Sequence, residues 1–198
     1  MRSTKTIKMA QMAILIAIVL IMAFTPLGYL KTAGLEISLI TIPVAIGAMV
    51  IGPGAGAVLG AVFGFTSFYQ CFGMRQFGAV LLSINPLWTF LVGGPTRILE
   101  GYLSGLIFKG LIKVDKSKTV CYFVGGLITA VLNTVFFVGL LILFFWNTDY
   151  IQSLNAAGAN AFLFLIAFVG INGVVEWIAT TVAGGVIAKA VAKIAKNA

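Results

Sequence analysis

The sequence predicts an all-α integral membrane protein: a bundle of six transmembrane helices with both termini cytoplasmic, in one domain over residues 1–198. Three observations predict it. Hydrophobic residues make up 61% of the chain, charged residues 9%, and the mean hydropathy of +1.11 lies outside the range of soluble domains. The length leaves room for about six or seven helices of the ~20 residues that cross a hydrocarbon core. Finally, ten of the 13 basic residues fall in three clusters: Arg2, Lys5 and Lys8; Lys109, Lys113, Lys116 and Lys118; Lys189, Lys193 and Lys196. Cytoplasmic segments of membrane proteins carry the excess of Lys and Arg, so the three clusters are expected on one side and the number of crossings is even.

The first span runs from about Thr6 to Phe24 and stops at Pro26 and Gly28. It has no small-residue cleavage site and reads as a helix, not a signal peptide. An external loop with Lys31, Gly34 and Glu36 follows, then a second span from Ile37 to Ile51 that ends at Gly52-Pro53-Gly54. The third span, Ala55 to Tyr69, is short and glycine-rich. A polar external stretch from Gln70 to Asn85 holds Cys71, Arg75, Gln76, Ser83 and Asn85. Pro86, a favourable first-turn residue, opens the fourth span, which reaches Leu111. The fifth covers Thr119 to Trp146. After an external loop with Asn147, Asp149, Gln152 and Asn155, the sixth runs from Asn160 to Val186 and fades into the basic tail. The inside segments hold three, none, four and three basic residues, the outside loops only Lys31 and Arg75, and Arg97 lies within a span.

Several function classes fall away. The net charge of +8 is distributed by topology and does not gather into a face for nucleic acid. Cys71 and Cys121 have no metal or redox spacing and there is no His, so no metal site and no cofactor is expected. Gly52 to Gly60 misses the dinucleotide fingerprint at Leu59, and no phosphate-binding G-x-x-x-x-G-K-[ST] occurs, so the chain has no ATP site of its own. Gly56, Gly60 and Gly64, like Gly101 and Gly105, read as close helix packing in lipid. Ala13 and Ala17, with Ala10 near the same face, are either an ordinary bundle contact or a small-residue face for a partner helix.

Polar groups in a bilayer are costly, which makes Arg97, Glu100, Asn133, Asn172 and Glu176 candidates for function. A rise of ~1.5 Å per residue puts Arg97 roughly 16 Å, Asn172 about 18 Å, Asn133 about 20 Å, and Glu100 and Glu176 about 21–24 Å from the outer helix ends. They share one layer. Asn133 and Asn172 are expected on the floor of a pocket open to the outside. For Arg97 the expectation is an ion pair with Glu176, or with Glu100 on its own helix, that supports this floor. Arg75 and Gln76 in the external stretch could form a lid, or Arg75 a solvated loop charge, while Trp88 lies near the mouth unless it belongs to the interfacial aromatic belt. The candidate substrate-binding residues are Arg75, Gln76, Trp88, Arg97, Asn133, Asn172 and Glu176. No catalytic residue is expected, because nothing would activate Glu100 or Glu176 as an acid or base. A self-contained channel or secondary carrier for a small polar solute would use the same buried charges.

The chain resembles the substrate-binding S components of energy-coupling factor (ECF) vitamin transporters. The resemblance rests on Ala13-Ile14-Leu15-Ile16-Ala17, which looks like the family's A-x-x-x-A contact, and on Thr41-Ile42-Pro43-Val44-Ala45-Ile46-Gly47-Ala48 leading into Gly52-Pro53 and Gly56-Ala57-Val58-Leu59-Gly60. It extends over essentially the whole chain. The resemblance implies a non-catalytic subunit in a prokaryotic plasma membrane that captures a vitamin from outside. A transmembrane coupling subunit, docked at Ala13 and Ala17, and two ATPase subunits would drive uptake. Asn172-Gly173-Val174-Val175-Glu176 and Leu132-Asn133-Thr134 look most like the pantothenate branch. Riboflavin and folate are the alternatives, and only Trp88 of the three tryptophans lies near the mouth to stack on such rings.

Overall fold

A computed structural model describes residues 4–31, 36–115, 117–155 and 160–197. Arg2, Gly34 and Lys116 lie outside them. Ten α-helices and one two-stranded hairpin are seen among the described residues.

Helix α1 (Thr4–Phe24) is apolar along its length and ends where a single 3-10 turn, Pro26–Gly28, begins. The segment expected as a plain loop is a hairpin. Strand β1 (Tyr29–Lys31) pairs antiparallel with β2 (Glu36–Ser38), placing Tyr29 opposite Ser38 and Leu30 opposite Ile37. This takes Ile37 and Ser38 out of the expected second span, which is helical only as α2 (Thr41–Val50). Thr41 starts that helix with Oγ1 donating to the Ser38 carbonyl at 3.1 Å. Ten residues rise about 15 Å, half of a ~30 Å hydrocarbon core, so the helical part of this segment does not span the core by itself, and most of its residues are buried in the bundle. Gly52, at φ 131°, supplies the left-handed turn into α3 (Pro53–Gln70).

The stretch Gln70–Asn85 contains a helix absent from the sequence reading, α4 (Gln76–Ile84). The expected fourth span is two helices, α5 (Pro86–Gly93) and α6 (Pro95–Val114). Pro95 has no N–H to continue the ladder and its ring would meet the carbonyl of the preceding turn, so the rod breaks at Gly94. Asn85 caps α5 by accepting from the Trp88 amide at 3.1 Å. Helix α6 lies along α3 with its backbone almost in contact. A Cβ on Gly56 would overlap the Gly101 carbonyl oxygen, and one on Gly60 would overlap that of Arg97.

Helix α7 (Val120–Phe145) is capped by Asp115, whose Oδ2 accepts from the amides of Thr119 at 2.9 Å and Cys121 at 2.8 Å. The external loop that follows includes a short helix, α8 (Asp149–Leu154). Helix α9 (Ala161–Ala179) kinks at Gly170, where φ is 35°, and passes through a π segment, Thr180–Gly184, into α10 (Gly185–Asn197). The basic tail is thus helical. Lys189 Nζ donates to Thr119 Oγ1 at 2.9 Å, tying α10 to the basic loop before α7.

Among the described residues, three helical stretches are long and apolar enough to cross a membrane: Lys5–Phe24, Val120–Phe145 and Gly173–Ile194. One core cluster joins Leu15 and Val19 of α1, Val44 of α2, Leu59 and Phe63 of α3, Phe108 of α6 and Ala188 of α10. A second joins Leu81, Val92, Leu141, Phe145 and Ile151. Large apolar side chains such as Ile21, Phe65, Leu99, Val135, Leu143 and Ile178 remain exposed, as lipid-facing residues of a helical membrane protein are.

Candidate functional site

Between the two core clusters lies a cavity of about 550 Å³, within the ~300–1,000 Å³ usual for small-molecule sites. The hairpin supplies Tyr29, Ile37 and Ser38. Phe63, Ser67 and Cys71 come from α3 and its end, Arg75 to Gly78 from the start of α4, and Thr89, Val92 and Gly93 from α5. Arg97 comes from α6, Asn133, Thr134, Phe137 and Val138 from α7, Tyr150 from α8, and Gly173 and Glu176 from α9.

Each element aims its residue for a local reason. The break at Gly94-Pro95 starts α6 anew, and Arg97 in its first turn is carried to the wall at 6% exposure. Its guanidinium carbon lies 4.7 Å from the Phe63 ring centroid and 5.1 Å from that of Phe137, within range for cation–π attraction. Glu100 stands one turn further along α6, fully buried, with Oε2 3.6 Å from Arg97 Nη1. This is the second of the two pairings expected for Arg97. Glu176 is instead engaged by Asn133, whose Nδ2 donates to Oε1 at 2.6 Å across α7 and α9.

The mouth is built differently. Arg75, just before α4, stacks its guanidinium carbon 3.2 Å from the Tyr29 ring centroid, which joins the α3–α4 connection to the hairpin. Gln70 Nε2 donates to the Ala23 carbonyl and fastens the end of α3 to α1. Cys71 Sγ donates to the Ser67 carbonyl at 3.4 Å; burial pushes its thiol up, partly opposed by the charge of Arg75. Burial also pushes up the phenol of Tyr150.

Of the residues expected to bind substrate, Arg75, Gln76, Arg97, Asn133 and Glu176 share this one cavity. Trp88 does not line it. One turn into α5 its ring stacks on Phe144, at 5.7 Å and 19°, and meets Phe145 edge-on, so it packs in the second core cluster. The side chain of Asn172 lies outside the described residues; its neighbour Gly173 is on the wall. Tyr29, Ser38, Phe63, Thr134 and Phe137 are wall residues that the sequence reading missed. Aromatic and hydroxyl residues recur throughout a membrane chain, and only the hairpin and the convergence of α3 and α7 on one cavity single these out.

The cavity wall mixes apolar surface with separated donors and acceptors, including buried polar atoms that have no hydrogen-bond partner among the described residues. These are Ser38 Oγ, Asn133 Oδ1, and Nε and Nη1 of Arg97. Such a site suits reversible binding of a polar small molecule. On the outside of α1, Ala10, Ala13 and Ala17 are exposed, while Leu15 and Val19 on the opposite face are buried. The small-residue face is therefore not used by the bundle itself.

A family model described as "ECF transporter, substrate-specific component" matches residues 7–187. No curated protein matches the chain significantly.

Proposed function

The chain belongs to the substrate-specific components of ECF transporters, and we propose that it is the high-affinity subunit that captures pantothenate from outside a prokaryotic plasma membrane. In this reading the chain crosses the bilayer six times with both ends in the cytoplasm. The cavity is the capture site, and Arg75, Gln76, Arg97, Asn133, Asn172 and Glu176 are its polar contacts. The observation that carries the reading is the convergence of polar side chains from α4, α6, α7 and α9 on one cavity of about 550 Å³. A small anion with hydroxyls and an amide matches a wall with guanidinium, amide and hydroxyl groups.

Capture alone does not move the solute. Energy would come from a transmembrane coupling subunit and two ATPases, with the exposed Ala13 and Ala17 face of α1 as the docking surface. Small side chains let two helix backbones approach in lipid, where packing and not the hydrophobic effect drives association. The hydrogen bond from Lys189 to Thr119 supports a common end for the middle and C-terminal basic clusters.

Equilibrium dialysis of labelled pantothenate against the purified chain tests the capture reading. Saturable one-to-one binding at nanomolar to low-micromolar concentration supports it. Displacement by riboflavin or folate, with no pantothenate bound, would replace the ligand while keeping the class. Transport by the chain alone in liposomes, without ATPase partners, would make it a secondary carrier.

A further inference from the structure

Helix α7 lines the cavity with Asn133 to Val138 but begins about 20 Å away along its axis, at an end of the bundle built from other residues. Three segments meet there. Lys113 lies in the last turn of α6, and the turn that follows closes with the Lys118 amide donating to the Asp115 carbonyl at 3.2 Å. Lys189 Nζ donates to Thr119 Oγ1 at 2.9 Å, which brings α10 against that turn, and Lys193 stands one turn further along α10. All four lysines are exposed. The carboxylate of the turn does not balance them. Asp115 Oδ1 accepts from the Ser117 amide at 2.9 Å and its hydroxyl at 2.7 Å, while Oδ2 accepts from the amides of Thr119 and Cys121. Among the described residues, no carboxylate lies within ion-pair distance of any of the four lysines.

Apolar surface lies beside this charge. One residue turns an α-helix by about 100°, so Lys189 and Lys193 are about 40° apart on one face of α10, and Ile187 and Ile194 about 20° apart on another. Ala188 is buried against the bundle, whereas Ile187 and Ile194 are exposed, as are Val114 and Val120 on either side of the Asp115 turn. We infer that this end binds an anionic phospholipid, with its phosphodiester among Lys113, Lys118, Lys189 and Lys193 and its acyl chains along the exposed apolar side chains. Ammonium groups on flexible stems suit a phosphodiester as point charges. Four cations with no counter-charge on the described protein favour a headgroup of net negative charge over a zwitterionic one, whose own ammonium would lie among them. A soluble acidic partner would cover the lysines but gain nothing from Val114, Val120, Ile187 and Ile194. A lipid satisfies both surfaces at once. None of these residues lines the cavity, so lipid binding here stands apart from the capture reading.

The purified chain in neutral detergent is titrated with dioleoyl phosphatidylglycerol or dioleoyl phosphatidylcholine. Native mass spectrometry counts the lipids retained, and thermal unfolding reads the midpoint. Phosphatidylglycerol should stay bound at about one per chain and raise the midpoint, and phosphatidylcholine should do neither. Each lysine at an anionic headgroup is worth about fivefold in affinity, so Lys189→Gln together with Lys193→Gln should weaken phosphatidylglycerol binding by about 25-fold. Lys189→Arg together with Lys193→Arg should keep most of it. Lys5→Gln together with Lys8→Gln, which removes the same charge from exposed positions at the start of α1, should change it by less than about twofold. Equal retention of the two lipids, a comparison that needs no variant to fold, would overturn the site. So would an equal loss in the Lys5 and Lys8 variant, which would reduce the binding to general attraction between a basic protein and an anionic lipid. Displacement of the lipid by glycerol phosphate or by polyglutamate would reassign the patch to a soluble anion or to an acidic protein surface.

Discussion

Asn133 on α7 donates its side-chain N–H to Glu176 on α9 over 2.6 Å, with both residues buried on the wall of the cavity. This contact orders two helices that bracket the site, and it leaves Oδ1 as the buried end of the Asn133 amide without a hydrogen-bond partner among the described residues. Interhelical polar contacts in membranes average only about 0.6 kcal/mol, but stranding a buried polar partner costs about 1–3 kcal/mol, and more when it is charged. Asn133→Ala should therefore lower the thermal midpoint in detergent clearly. Glu176→Gln, which keeps an acceptor and removes the charge, should lower it less, and Asn133→Asp, which faces one carboxylate with another, should lower it most. Thermal unfolding of the three variants reads this order. Equal losses in Asn133→Ala and Glu176→Gln would mean that the Glu176 charge, and not its hydrogen bond, holds α9.

The α3–α6 packing predicts which glycines tolerate a methyl group. A Cβ on Gly60 meets the Arg97 carbonyl oxygen, a backbone atom that cannot yield without moving α6. Gly110, also on α6, has open space around its missing Cβ. Gly60→Ala should destabilise the protein and, by shifting Arg97, weaken ligand binding. Gly110→Ala should be neutral or stabilising by about 0.5–1 kcal/mol, since alanine is the better helix residue. Thermal midpoints and dialysis affinities for the two variants check both statements.

The long apolar helices and the buried polar layer were legible because each is a local signal: a run of apolar residues, or an Arg, Asn or Glu that interrupts one. Arg97, Asn133 and Glu176 stood out on that ground alone. The interruption at Gly94-Pro95 is also local, but the apolar run before it and the apolar residues that resume after Arg97 and Glu100 let the segment read as one span. Helix α4 was hidden by the polar residues around it, although Phe77 to Leu82 carries an apolar core of its own. The hairpin left no trace, because three-residue strands depend on a partner and not on their own composition. Trp88 shows the remaining limit. Whether a tryptophan near a pocket mouth turns inward or packs on a neighbour depends on the rotation of its helix, and α5 turns it onto Phe144.

Asp115 caps α7 and supplies a pH signature outside the membrane. The Cys121 amide first, then the Ser117 hydroxyl, hold its carboxyl well below the usual carboxylate range. A depressed folded value means that the cap's contribution is present above the unfolded value of about 3.9 and is lost as pH falls through the folded one. Asp115→Ala should lower the thermal midpoint between pH 5 and 7, and the gap to the unmodified protein should narrow below about pH 4. A gap independent of pH would assign the loss to packing instead of the ionised cap.

Docking and capture should separate on α1. Ala13 and Ala17 face outward, so Ala13→Leu together with Ala17→Leu leaves the cavity wall untouched. Pantothenate affinity of the isolated chain should stay within about twofold, because distant surface changes have little effect on a site they do not touch. Co-purification with the coupling subunit should fall sharply, since two added isobutyl groups hold the backbones apart. Leu15→Ala, on the buried face of the same helix, should do the opposite: lower stability by about 2–5 kcal/mol and leave the docking face intact. If the double leucine variant still co-purifies fully, the coupling subunit docks elsewhere.

Cys71 offers a readout of cavity occupancy that needs no labelled ligand. It is partly exposed on the wall, whereas Cys121 is buried at 2% exposure in the core cluster that includes Leu15 and Val44. Thiol reagents attack the thiolate, and burial pushes the Cys71 thiol up, so labelling by a maleimide at neutral pH should be slow and should accelerate as pH rises toward 9. Ligand in the cavity blocks access to the sulfur. Saturating pantothenate should therefore slow Cys71 labelling by about tenfold or more and leave Cys121 unreactive with or without ligand, by analogy with site-selective modification of exposed thiols. Mass spectrometry of the two cysteine peptides gives both rates in one experiment. Protection that persists after Arg97→Gln would remove Arg97 from the contacts that hold the ligand.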